Sequence, residues 1–190
     1  MFAKGRTNMQ VMIDDRAEIL QRTLREIPQF IELIFKDIDA KIKEVALAEA
    51  GEDPEMKLSI QQSLNEMYHC DDKLFMIELI NKAIVVMTDS YCESTLKEIA
   101  AVKKIKSRKQ RGNTDIERLL SRFIVESQSA GAAFLDKYWP DFVEFHDSRN
   151  NIVHENKVKK EYVLNTEYIA KNIESVRNLL RAVEALTLHK

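Results

Sequence analysis

Residues 146–156, HDSRNNIVHEN, hold the side chains of this chain best suited to chemistry. Two of its four histidines, His146 and His154, flank Arg149, which lies among Ser148, Asn150 and Asn151. An imidazole exchanges a proton near neutral pH, and a guanidinium grips anionic oxygens with a fixed fork of donors. Asn150 and His154 are four apart, hence neighbours on a helix face, where the amide can orient the ring by hydrogen bonding. Phe142, Phe145, Ile152 and Val153 would form one apolar stripe on the same helix, with Arg149 in its middle. A guanidinium is always charged and costly to bury unpaired. Three arrangements satisfy it: an ion pair with an acid, a side chain that snorkels to water, or a bound phosphate. At about 100° per residue, Arg149 and His154 lie roughly 140° apart. Either the helix ends between them, or a complete Arg/His pair needs a second copy of the chain.

The elements that must position these residues read as helices. From Ile13 the apolar residues Ala17, Leu20, Leu24, Ile27, Ile31, Ile34, Ile38, Ile42 and Val45 recur in steps of three and four, an amphipathic stripe. Pro28 predicts a kink or break there. This stripe is either folded against the main body or a dimerisation arm. GEDPE, residues 51–55, marks a turn, and further helical patterns cover 58–67 and about 72–104. AIVVM, residues 83–87, is apolar on all sides, as at the centre of a bundle. Glu93 follows, either paired within the bundle or facing water. Thr114 and Glu117 have capping-box spacing, Trp139-Pro140 predicts a break with a new helix starting at the proline, and a last helix begins near Thr166. Four glycines and three prolines in 190 residues favour long helices over many short strands. The fold class is all-α.

Composition narrows the function. A formal charge of −2 gives no global attraction to nucleic acid, so any such attraction must be local. KKIKSRKQR, residues 103–111, supplies the one candidate patch: Lys103, Lys104, Lys106, Arg108, Lys109 and Arg111 can either track a phosphate backbone or form ordinary solvated surface. Cys70 and Cys92 have no metal spacing and read as reduced thiols. His69, Cys70, Asp71 and Asp72 are ligand-type residues, but consecutive positions on a helix point apart. No metal or cofactor is expected. His146 reads as a surface or supporting residue and His189 as a terminal one. The absence of a leader-like or spanning apolar run makes a cytoplasmic protein with no membrane partner the expectation.

RNNIVH, residues 149–154, resembles the R-N-x-x-x-H motif of the HEPN superfamily, all-α domains common in toxin–antitoxin, phage-defence and RNA-processing systems. The likeness covers about residues 57–190. It implies a HEPN-like helical bundle over residues 56–190, preceded by an N-terminal amphipathic helical extension over residues 1–50. It also implies a metal-independent endoribonuclease site at a homodimer interface, with Arg149, Asn150 and His154 in the motif's roles. Glu93 would take the place of an acidic residue on the family's long helix. RNA brings its own 2′-hydroxyl nucleophile, so the expected products are a 2′,3′-cyclic phosphate and a 5′-hydroxyl. The partners implied are RNA, a second copy and an antitoxin protein. Asn156 stands where many toxin members carry a tyrosine that an antitoxin modifies, which puts that route of regulation in doubt. The alternative is a HEPN-like module without activity that binds RNA, a nucleotide or a protein partner.

Overall fold

The computed structural model describes residues 7–68, 72–105, 115–127, 130–155 and 165–186, and among these all regular structure is helical. Six helices follow in order: α1 (Asn8–Ala50), α2 (Pro54–Met67), α3 (Lys73–Val102), α4 (Asp115–Ser127), α5 (Ala130–Glu155) and α6 (Thr166–Ala185). Local chemistry sets several boundaries. Thr7 and Gln10 form a reciprocal capping box at the start of α1. Gly51 ends α1 at φ +60°, a conformation that L side chains rarely adopt, and its N–H returns to the Leu47 carbonyl. Asp53 caps α2 with Pro54 in the first turn, and Asn165 caps α6 by accepting from the Tyr168 N–H.

Helix α3 is the central element and packs against α1, α4, α5 and α6. The core gathers Ile13, Leu20 and Leu24 of α1 with Ile84, Leu96 and Ile99 of α3, Leu120 and Phe123 of α4, Phe142 and Phe145 of α5, and Ile173 and Leu180 of α6. Polar pairs at the rim fix directions. Arg16–Glu98 and Glu32–Lys73 set α1 antiparallel to α3, while Asp14–Arg181 and Gln21–Glu174 set it antiparallel to α6. The Lys103 ammonium donates to the Leu186 carbonyl at 2.8 Å, joining the ends of α3 and α6.

Several sequence expectations are corrected. α1 is not broken at Pro28, nor α5 at Trp139-Pro140; both prolines lie inside continuous helices. A proline removes one backbone hydrogen bond, and in α1 the burial of Leu24 and Ile31 on either side outweighs that loss. The N-terminal stripe, by contrast, is folded against the main body, as one of its two readings had it: Ile13, Ala17, Leu20 and Leu24 belong to the core. AIVVM is buried on one side only: Ile84 and Val85 are inside, whereas Met87 is 49 % exposed. Cys92 is a buried free thiol, while Cys70 lies outside the described residues. No helix among the described residues is long and apolar enough to cross a membrane.

Candidate functional site

Arg149 finds its counter-charge inside the protein. Asp89 on α3 is 1 % exposed. Its Oδ2 lies 3.2 Å from Arg149 Nε, and its Oδ1 lies 2.8 Å from His146 Nδ1. Because a carboxylate only accepts, the imidazole donates through its Nδ1–H. The arginine contact is an ion pair whose Nε–H misses hydrogen-bond alignment. Arg149 Nη1 in turn donates to Asn150 Oδ1 at 2.9 Å. One buried carboxylate therefore holds both His146 and Arg149 of α5, and the arginine side chain keeps 27 % of its surface open.

The helix supporting this cluster explains the geometry. Phe142, His146 and Arg149 follow in steps of four and three, so they share one face. The Phe142 and His146 rings stack with centroids 5.7 Å apart. Ser148, buried, donates to the Glu144 carbonyl and lies 3.4 Å from the Tyr168 hydroxyl of α6. His146 Nε2 and Asn151 Nδ2 are buried polar atoms with no hydrogen-bond partner among the described residues. Burial also pushes the Cys92 thiol, close to Asp89 on α3, well above its ordinary range, with the Asp89 charge adding to the effect.

The continuous α5 answers the angular question. The helix does not end between Arg149 and His154: Arg149 turns towards Asp89, and His154, in the last turn, is exposed. Val153 is 48 % exposed and does not continue the apolar stripe, since a step of one residue from Ile152 turns it about 100°. Glu93 pairs with Lys97, one turn away on its own helix, and is partly exposed; the carboxylate that meets Arg149 is Asp89, one turn earlier. Of the basic segment, Lys103 is engaged with Leu186 and Lys104 is exposed at φ +56°, while Lys106, Arg108, Lys109 and Arg111 lie outside the described residues. His69, Cys70, Asp71, Asn156 and His189 also lie outside them, and no three potential metal ligands cluster among the rest.

Sequence reasoning missed Asp89 and underrated His146. The signal was present: Val85, Asp89, Cys92 and Leu96 follow in steps of four, three and four. An acid in an apolar register must be paired, and the misplaced Arg149 was the matching half. Comparison of the chain with protein-family models, with curated proteins and with solved structures finds no match.

Proposed function

We propose that this chain is a HEPN-type, metal-independent endoribonuclease, acting as a homodimer in toxin–antitoxin or phage-defence biology within the cytoplasm. The observation that carries the reading is the arrangement on α5: an arginine held in place by a buried carboxylate, and an exposed histidine five residues on at the end of the same helix. In this reading Arg149 extends its open guanidinium edge to the scissile phosphate and stabilises the charge that develops there. His154, reachable from solvent, takes the 2′-hydroxyl proton or returns one to the leaving 5′-oxygen. Attack of that 2′-oxygen on phosphorus breaks the P–O5′ bond and leaves a 2′,3′-cyclic phosphate and a 5′-hydroxyl. The two side chains diverge by roughly 140°, which favours a cleft shared by two copies. Asn150 sets the guanidinium plane, Asp89 positions Arg149 from behind, and Lys104 with the basic segment guides the RNA.

A second reading has its own support. The Asp89–Arg149 pair neutralises the arginine within the fold, as a purely structural ion pair would. The chain would then be a HEPN-like module that binds RNA, a nucleotide or a protein partner without cleaving. The deciding experiment is cleavage of total RNA by purified protein, in chelator, with end-group analysis of the products. The nuclease reading expects cleavage that is lost in both His154→Ala and Arg149→Ala. Equal cleavage by all three proteins, or none by any, removes it.

A further inference from the structure

His146 is an odd residue to bury for the sake of the fold alone. It is 8 % exposed, its ring stacks on Phe142, and its Nδ1–H donates to Asp89. On the far side of the ring, Nε2 is a buried atom with no hydrogen-bond partner among the described residues, whichever charge the ring carries. A buried polar atom left unmet is a net cost to stability. An apolar side chain stacked on Phe142 would fill the same space without it. What the imidazole does that an apolar side chain could not is hold one oxygen of Asp89.

Arg149 shows the consequence. A guanidinium beside a carboxylate commonly closes a two-bond fork, with one oxygen on each of two nitrogens. Here only Oδ2 of Asp89 faces it, 3.2 Å from Nε and out of hydrogen-bond alignment, because Oδ1 is turned to the imidazole at 2.8 Å. The other contact, from Nη1 to Asn150 Oδ1 at 2.9 Å, stays on the arginine's own helix. Neither contact uses Nη2, and 27 % of the side chain is open. One carboxylate cannot serve both arrangements. Turning it to meet Nε and Nη2 together swings Oδ1 away from the ring, and the imidazole would then be buried with both nitrogens unmet.

We propose that His146 is a positioning residue: by holding Asp89 Oδ1 it stops the carboxylate from closing on the Arg149 fork, and so keeps the Nη edge free for a phosphate oxygen. That this phosphate is the scissile one rests on the ribonuclease reading above. Phe142 fixes the ring, the ring fixes the carboxylate, and the carboxylate steadies Arg149 through Nε alone. His146 touches no substrate in this scheme; it acts through Asp89.

The test removes the donor. His146→Leu and His146→Phe lose the Nδ1–H, and the pair guards against one shape that does not fit, while His146→Asn keeps an N–H near the same place. Phenylglyoxal, which condenses with the Nη atoms of arginine, is applied to the full chain, with circular dichroism as the check on folding. Modification at Arg149 is followed by mass spectrometry of its peptide. Arg149 should react at least about fivefold more slowly in the apolar variants, where both Asp89 oxygens can take its fork, and recover in His146→Asn. A merely loosened fold would make Arg149 react faster, so the sign separates the two causes. Equal or faster reaction in the apolar variants, no recovery in His146→Asn, or an Arg149 inert in the wild type overturns the proposal. With RNA as substrate, kcat should fall about ten- to a hundredfold in the apolar variants with KM little changed, since the grip matters most in the transition state. An unchanged kcat also overturns the proposal. A wild type that cleaves no RNA removes the ribonuclease reading, and the modification rates still decide what His146 does to Arg149.

Discussion

Replacing Asp89 by Asn keeps the shape of the side chain and removes the charge on which Arg149 and His146 converge. Truncating one partner of a buried ion pair costs about 3–5 kcal/mol when the survivor has no route to water. Arg149 keeps 27 % of its side chain open and can hydrate part of its fork, and His146 can still donate Nδ1–H to an amide oxygen. The expected loss is therefore smaller, about 2–3 kcal/mol. For a chain of this length that corresponds to a fall in Tm of roughly 5–10 °C. Urea denaturation followed by circular dichroism gives the number, and a cycle with Arg149→Met isolates the pair. The double variant should lose about 1–2 kcal/mol less than the sum of the two singles. An Asp89→Asn protein within 0.5 kcal/mol of wild type, or strictly additive losses, would refute the view that this carboxylate anchors the arginine.

Three further outcomes follow from buried or capping groups. Burial, aided by the Asp89 charge, raises the Cys92 thiol above its ordinary value, so the unfolded chain ionises first. Stability complete below about pH 8.5 should then decline by at most ~1.4 kcal/mol per pH unit above it, and urea midpoints for Cys92→Ala should fall less steeply between pH 8.5 and 10. Tyr91, also raised by burial, donates its hydroxyl to the Ile13 carbonyl at 2.8 Å. Tyr91→Phe removes this second hydrogen bond while the carbonyl keeps its helical Ala17 N–H, and should cost about 0.5–1.5 kcal/mol, measured by the same denaturation. Asp53 accepts from the N–H groups of Glu55 and Met56, and α2 has no buried residue. Asp53→Ala should therefore increase amide exchange throughout α2 while leaving the midpoint of the main transition nearly unchanged.

The all-α architecture was legible because rows such as Ile13–Leu24 on α1 and Ile169–Val183 on α6 repeat in steps of three and four, and scarce glycine leaves few places to turn. The breaks expected at Pro28 and Pro140 are not there, and in α1 the reason is that local propensity records the lost hydrogen bond but not the burial of Leu24 and Ile31 on either side. Arg149 was recognisable as a charge in an apolar stripe, and an ion pair was among its readings. Its partner was not identified: Glu93 stands at a plausible place on the long helix, and only the rotation of α3 against α5 decides that Asp89, one turn away, faces the guanidinium. The exposure of Ile27 and Ile34 on α1 was hidden for a similar reason. Both fit the apolar stripe, and a sequence period cannot say where the neighbouring helix stops covering them.

Helix α1 serves two bodies of unequal strength. Its 43 residues span about 65 Å. Ile13 to Leu24 belong to the main core, whereas Ile42, Ala46 and Ala50 are buried outside it, on the part of α1 that α2 folds back towards. Pro28 falls between these bodies and leaves the Leu24 carbonyl without its intrahelical donor. The helix is thus weakest where its support changes, and its two halves need not open together. Under mild denaturant, amide exchange along α1 should be stepped, with residues beyond 28 opening together with α2 while residues 13–24 wait for global unfolding. A backbone that is one continuous helix by geometry would be two cooperative units by energy, joined at a proline.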